Sequence, residues 1–268
     1  MNYSILICVY YRDNPEWFSK TLKSISKQTY FPDEVVLVID GDIPRALESV
    51  VSKYKTLLPL NIIRNRKNMG LPYCLNKGLI ISSNELVGRV DADDIISPNR
   101  FEKQVNYLVE NEKVVVLGAS VYVIDKFDKV INERKYPLKC KDIKKNMWRN
   151  SIAHGSVIYR KSKIFEVGGY NENLLRCEDY DLWFRVLKKG FIIENLDIFS
   201  GYWRFEPNDL FKSSFKQKLQ QVLVGFNGSR SLKLTLWKQI LCFSPLIPYL
   251  LPRFFSGFYN KLKEVFLK

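Results

Sequence analysis

Histidine is nearly absent from this 268-residue chain, which has only His154, and acids are few beside bases: 28 Asp and Glu against 42 Lys and Arg, a formal net charge of +14. The five cysteines, Cys8, Cys74, Cys140, Cys177 and Cys242, are odd in number, scattered and never form a CxxC pair. That spacing argues against a zinc site or a disulfide framework and fits reduced thiols in a cytosolic setting. The opening MNYSILICVYYRD has no basic leader and no small-residue cleavage site, so no export signal is expected. The apolar run Ile240–Leu251 is only 12 residues long and contains Pro245 and Pro248, too short and too broken to span a bilayer. Internal repeats and low-complexity stretches are also missing.

What remains is an ordinary globular composition, 46% hydrophobic and 26% charged, in a chain long enough for one full core and an appendage. Through residue 100, strand-like runs alternate with helical ones. YSILICVYY (3–11), DEVVLVID (33–40), LNIIRN (60–65) and ELVGRV (85–90) read as buried strands. The helical stretches between them predict a mostly parallel sheet with helices on both faces, an α/β fold. Later come a helix at FEKQVNYLVEN, one long strand or a strand pair at KVVVLGASVYVID, and an edge with a turn at DKVINERKYP. SVIYRKSKIFEVGGY gives a strand, a helix and a glycine stop, and CEDYDLWFRVLKKG an amphipathic helix ended by Gly190. A boundary is expected near 205–215, dividing a catalytic domain (1–210) from a helical, basic and apolar tail (211–268).

In open α/β sheets ligands bind beyond the carboxyl ends of strands, where Asp40 and the group Asp91-Ala92-Asp93-Asp94 fall. Two carboxylates held together repel unless a cation lies between them, and a divalent ion with phosphate oxygens resolves that conflict. The acids therefore read as a metal seat for an anionic substrate. They also suit a plain helix start, with Asp94 opening and capping the helix. Glu178 and Asp179 open a helix, where acids favour the dipole in any case. Asp181 and Arg185, four apart, suit an ion pair on a helix face.

Five motifs in order, VLVIDGD, RNRKNMGLPYCLNKGL, GRVDADDIISPNRFEKQ, HGSVIYRKSKIFEVGGY and CEDYDLWFRV, resemble those of the family 2 glycosyltransferases over roughly residues 3–205. The resemblance implies the GT-A (Rossmann-like) fold and inverting transfer of a sugar from a nucleotide-diphosphate donor, by default a UDP-sugar. It also implies a saccharide or polyprenyl-diphosphate-linked acceptor in surface-polysaccharide synthesis. By the same resemblance Asp93, with Asp91, holds Mg²⁺ or Mn²⁺, Asp91 also touching ribose. Asp40 contacts the base or ribose, Asn68 and Gly70 line the nucleotide pocket, and Arg204 meets the diphosphate. Asp179 of the Glu178–Asp179 pair is the general base, and His154 serves the acceptor side. Apart from the resemblance, Trp183 on the same helix suits either the lining of an acceptor pocket or a core or half-buried position. Two positions depart from the family pattern: Ile39 replaces the first of two aspartates, and Gly155 stands where proline often follows the histidine.

Residues 201–268 carry 11 Lys and Arg against 3 Asp and Glu. Joined to the apolar segment 236–268, that charge predicts an interfacial element pressed on anionic lipid, hence a cytoplasmic protein peripheral on the inner face of the cell membrane. The alternative is a helical cap on the catalytic domain with a solvated basic face. The charge alone would also suit nucleic-acid binding, but no zinc-finger, RNP or basic-zipper signature accompanies it, and no nucleic-acid partner is expected. A further alternative is a non-catalytic, membrane-associated nucleotide-sugar binding protein, against which the three acids Asp91, Asp93 and Asp179 argue.

Overall fold

The computed structural model describes residues 1–174, 176–205 and 214–247. β-Branched residues fill the first strand, β1 (Tyr3–Tyr10), whose side chains alternate between two cores: Ile5, Ile7 and Val9 on one face, Leu6 on the other. Strands β2 (Glu34–Asp40), β3 (Leu60–Asn65) and β4 (Leu86–Arg89) join it in parallel, in the order β3-β2-β1-β4. Helices α1 (Pro15–Ser26) and α2 (Arg45–Tyr54) cover the first face through Phe18, Leu22, Leu47 and Val51. Helix α3 (Leu71–Ile81) covers the second through Cys74, Leu75 and Leu79. Asn14 starts α1 by accepting from the backbone N–H of Glu16 and Trp17, and Pro15 presets the first helical φ.

After β4 the sheet becomes mixed. The chain continues through β5 (Ile95–Ile96), α4 (Arg100–Glu110), β6 (Val114–Ile124), β7 (Val130–Arg134), α5 (Cys140–Asn146), β8 (Ile158–Arg160), α6 (Lys161–Glu166), α7 (Glu178–Lys188) and β9 (Ile192–Arg204). β8 lies antiparallel between β4 and β6, β9 runs parallel to β6, and β5 and β7 add antiparallel pairs to β9 and β6. Among the described residues this makes one nine-stranded sheet with helices on both faces, the expected GT-A-like α/β fold. Its parallel part is β3-β2-β1-β4 together with the β6–β9 pair.

The helix start expected at Asp94 is not there. Ile95 and Ile96 pair instead with Tyr202 and Gly201 of β9, and the helix begins only at Arg100, past Pro98. A proline has no N–H to give an i→i−4 bond, so a helix starting at Asp94 would break there. Toward the other end, α7 stops as its sequence predicts, with Lys188 in the last turn and Gly190 at φ +89°.

Two helices follow, α8 (Phe215–Ser231), begun by a reciprocal Ser214–Gln217 capping box, and the short α9 (Leu236–Leu241). α8 lies on α7 so closely that Gly228 faces the Phe184 ring where no Cβ would fit. Among the described residues no helix is long and apolar enough to cross a membrane. The last part of the Ile240–Leu251 run, and everything after it, lies outside the described residues.

Gly201 tests this account of β5. A Cβ there would meet the backbone of Ile95 and stand 2.9 Å from Ile96 Cα, and neither can yield as a side-chain tip can. Gly201→Ala is expected to lower stability by about 1–3 kcal/mol, read as a lower urea midpoint.

Candidate active site

Because β1 to β4 are parallel, their carboxyl ends meet at one edge of the sheet, and polar residues gather there. Asp40, the last residue of β2, is buried. Its Oδ1 accepts from Asn65 Nδ2 at 2.9 Å and Met69 N at 2.8 Å, and its Oδ2 from Gly70 N at 2.9 Å. Asp40 therefore braces the 68–70 loop. Gly41 (φ +82°) lets that loop close in, since a Cβ would stand 2.8 Å from Asn68 N. Asn68 itself is exposed, and Gly70 at φ +90° turns the chain into α3.

The Asp91–Asp94 loop is held from beneath and from both sides. Arg89, 1% exposed, contacts Asp91 Oδ1 through Nη2 at 2.5 Å and donates through Nη1 to the Val90 carbonyl. From α1, the Thr21 hydroxyl lies 2.9 Å from Ala92 O and 2.7 Å from Asp94 O. Arg204 at the end of β9 gives its backbone N–H to Asp94 Oδ1 (3.2 Å) and its Nε–H to Asp93 O (3.2 Å). Burial, then the charge on Asp91, pushes Asp93 up to about 6. Burial and both neighbouring acids push Asp94 well above the usual carboxylate range.

Asp13, in the loop after β1, is a fourth acid at this place. Its Oδ2 accepts from Tyr10 N at 2.8 Å, and burial, with the charges of Asp93 and Asp91, raises it to about 7. Crowded acids of raised pKa are a donor set that a cation would relieve. Among the described residues no trio of His, Cys, Asp or Glu is grouped closely enough to cage an ion alone. Asp93 with the free Oδ2 of Asp91 therefore fits an ion that takes its other oxygens from a ligand.

Across the cleft the turn at His154–Ser156 packs on the same loop. A Cβ on Gly155 would stand 2.8 Å from Asp91 Oδ2 and 2.7 Å from Asp94 Oδ2, so a residue without one lets the turn approach. Buried Arg100 fastens the two sides, donating to Gly155 O (2.9 Å), Arg89 O (2.9 Å) and Val157 O (3.2 Å). His154 Nε2 meets Tyr170 Oη at 2.9 Å, and burial and nearby Arg89 hold the imidazole down to about 4, neutral at pH 7. At the N-terminus of α7, Glu178 is buried, and burial and Asp179 push it up to about 7. Asp179 is partly exposed, and its Oδ2 accepts from Asn150 Nδ2 at 3.0 Å. Asp91 and Asp179 both act electrostatically on His154, and Asp91 acts on Glu178, so the two acid groups lie near one another around the His154 turn.

Two expected contacts are overturned. Trp183 is fully buried in the core on the α7 side and cannot line an acceptor pocket. At the sixth position of its helix it falls on the buried face, with Tyr180, Leu182, Val186 and Leu187. Arg204 has a side chain only 1% exposed, and its two Nη atoms bond Asp125 O (2.8 Å) and Asp128 Oδ1 (2.6 Å). It is a structural tie, closed off from a diphosphate. Asp181 and Arg185 form the expected i,i+4 ion pair at 2.7 Å. Sequence reasoning passed over Asp13, Arg89, Arg100, Asn150 and Tyr170; of these only Asp13, an acid just past a strand end, carried a readable signal.

Comparison with known proteins finds relatives over most of the chain. The family model described as "Glycosyl transferase family 2" matches residues 4–168. The chain is 38% identical over 195 residues to the amylovoran biosynthesis glycosyltransferase AmsE of Erwinia amylovora, covering 72% of this chain and 73% of the relative. It is 36% identical over 190 residues to the UDP-Gal:alpha-D-GlcNAc-diphosphoundecaprenol beta-1,3-galactosyltransferase of Escherichia coli, covering 70% of this chain and 68% of the relative. S. aureus TarS 1–349 in complex with UDP-GlcNAc has a similar fold, at TM-score 0.67 and 18% identity over 92% of this chain and 72% of that chain. Against a longer TarS chain the match covers 42% of its length.

Asp13 gives a pH-dependent test. Its folded pKa lies above its unfolded value, so the folded state binds the extra proton and this group lowers stability progressively as pH rises from about 4 to about 7. Asp13→Asn keeps an acceptor for Tyr10 N and removes the charge. The variant is expected to match the parent near pH 4 and to exceed it in urea midpoint at pH 8, both measured without divalent ions.

Proposed function

The chain belongs to glycosyl transferase family 2 and is a glycosyltransferase; from that premise we propose an inverting, metal-dependent enzyme of surface-polysaccharide synthesis. Its donor is a nucleotide-diphosphate sugar, a UDP-sugar, and its acceptor a saccharide, carried on polyprenyl diphosphate. The observation that carries this reading is the nearness of two acid groups, Asp91 and Asp93 past β4 and Glu178 and Asp179 at the start of α7, on either side of the His154–Ser156 turn that packs on Asp91 and Asp94. The substrates in the name of the E. coli relative, a UDP-sugar and a diphosphoundecaprenol-linked acceptor, support the choice of donor and acceptor.

Each side of the cleft has one task. Asp93 and Asp91 would hold a Mg²⁺ or Mn²⁺ ion, whose chemistry here is to neutralise charge on the departing diphosphate. The Asp40-braced loop with Asn68 and Gly70 forms the nucleotide side. Asp179 takes the proton of the acceptor hydroxyl as that oxygen bonds to the anomeric carbon and the bond to the diphosphate breaks. One base with no carboxylate nucleophile gives a single displacement, hence inversion. Neutral His154, steadied by Tyr170, lies on the acceptor side as a hydrogen-bonding group.

Residues 1–210 make up the catalytic unit in this reading, and 211–268 an appendage that meets anionic membrane on the cytoplasmic face. Supporting it, α9 and the turn after it expose Leu236 (70%), Trp237 (55%), Ile240 (59%) and Phe243 (43%). Lys233 and Lys238 adjoin them in a chain of +14, the mixture that an interfacial element needs.

Two measurements test the proposal. Asp179→Asn is expected to keep Mn²⁺-dependent UDP binding in titration calorimetry while transfer to a lipid-linked acceptor falls about 10²-fold or more; near-normal transfer would move the base elsewhere. Trp237→Ser combined with Ile240→Ser is expected to reduce co-flotation with phosphatidylglycerol vesicles, and undiminished flotation would remove this surface from the reading.

A further inference from the structure

The turn between β6 and β7 lies far in sequence from the acid motif, yet one aspartate in it governs how the motif is held. Asp128 sits in that turn at φ +65°, a left-handed conformation that Asp and Asn tolerate best among residues with a side chain. Its Oδ1 accepts from Arg204 Nη2 at 2.6 Å and its Oδ2 contacts Lys20 Nζ of α1 at 2.5 Å. Burial opposes ionisation of Asp128, but the bonds from Lys20 and Arg204 prevail and hold its carboxyl below the usual range. The Arg204 guanidinium is then fixed on every side: over the Trp17 ring at 4.6 Å, on Asp125 O, on Asp128, and through Nε on the carbonyl of Asp93.

We propose that Asp128 is a positioning residue for the ion seat, acting through Arg204 to set the backbone of Asp93 and Asp94. Two elements thereby brace the loop against the same aspartate. α1 reaches it through Lys20 and holds the loop through Thr21, while β9 reaches both through Arg204. Arg204 carries the constraint from the turn, and its charge is balanced only 1% exposed to solvent. Without Asp128 the guanidinium loses its one carboxylate partner among the described residues, and the Nε–H contact to Asp93 O loses its anchor. The inference rests on the reading of Asp93 as the ion ligand.

Asp128→Asn tests it, because asparagine keeps the left-handed turn while removing the charge and one of the two acceptor oxygens. Hydrogen–deuterium exchange without ligand is expected to quicken several-fold in peptides covering 91–97 and to stay unchanged in those covering 34–40. Mn²⁺ affinity in the presence of UDP, read from the free-ion EPR signal, is expected to fall about 10-fold, the usual effect of removing an outer partner of a metal ligand. Parental exchange at 91–97, or faster exchange with unchanged Mn²⁺ affinity, would overturn the inference. If the parent itself binds no Mn²⁺ the ion-seat reading fails, and the exchange comparison alone then decides whether Asp128 holds the loop. Should Asp128→Asn fold poorly, Lys20→Met at the half-exposed end of the same pair is expected to move both readouts the same way by a smaller factor; no movement there overturns the inference.

Discussion

Negative charge must be concentrated where the strands end, and that concentration is tolerable only because buried arginines are built around it. Asp13, Asp91, Asp93 and Asp94 crowd one edge of the sheet, and Asp13, Asp93 and Asp94 are each made harder to ionise by burial and by their acidic neighbours. Arg89 lies under Asp91, and Arg204 beside Asp93 and Asp94. Arg100 meets carbonyls instead of carboxylates, and burial pulls its pKa down to about 9. A buried cation without a counterion is costly unless its donors are engaged, and three backbone carbonyls and Gln104 engage those of Arg100. The reward is rigidity, since the arginines bind backbone oxygens and so fix the path of the loop as well as its charge.

This arrangement gives the glycosyltransferase two unlike halves. The half on the parallel strands, the donor side in the proposed reading, is set by backbone: the Asp40-braced loop, the Thr21 contacts, the Arg204 tie. The other half, the acceptor side in that reading, stands on the His154 turn and the first turn of α7, with side chains such as Tyr170 and Asn150 as supports. Arg100 and the missing Cβ of Gly155 bring the halves to one distance. Departure from the family's proline at 155 thus coincides with close packing on Asp91 and Asp94.

The first four strands were legible because short apolar runs rich in Val, Ile and Leu end at turn or acidic residues, and Asp40, Asp91 and Asp93 were legible because they end or follow such runs. β9 was not. IIENLDIFSGYWR alternates apolar and polar residues irregularly, and its register with β6 shifts three times, so no clean period of two survives. β5, two residues long, takes its structure wholly from β9. Missing β9 explains the error over Arg204: without a strand to bury it, a late arginine reads as a free cation. Trp183 was misjudged because amphipathic spacing tells which face is apolar but not whether an indole reaches the cleft. Arg89 was hidden by the habit of reading a charge at a strand end as solvent-facing.

The pairing of β5 with β9 also sets an order of events for the newborn chain. Asp91 and Asp93 leave the ribosome about a hundred residues before Gly201, Tyr202 and Arg204, on which the conformation of their loop depends. The parallel β1–β4 unit can collapse early, with the Arg89 and Thr21 contacts in place, but the acid loop gains its β5 pairing and its Arg204 ties only when the last strand of the sheet inserts beside β6. Synthesis therefore passes through a stage in which the acids are present but held from one side alone. A chain interrupted before residue 192 would be folded in part and still lack the strand that fixes the other side of this loop.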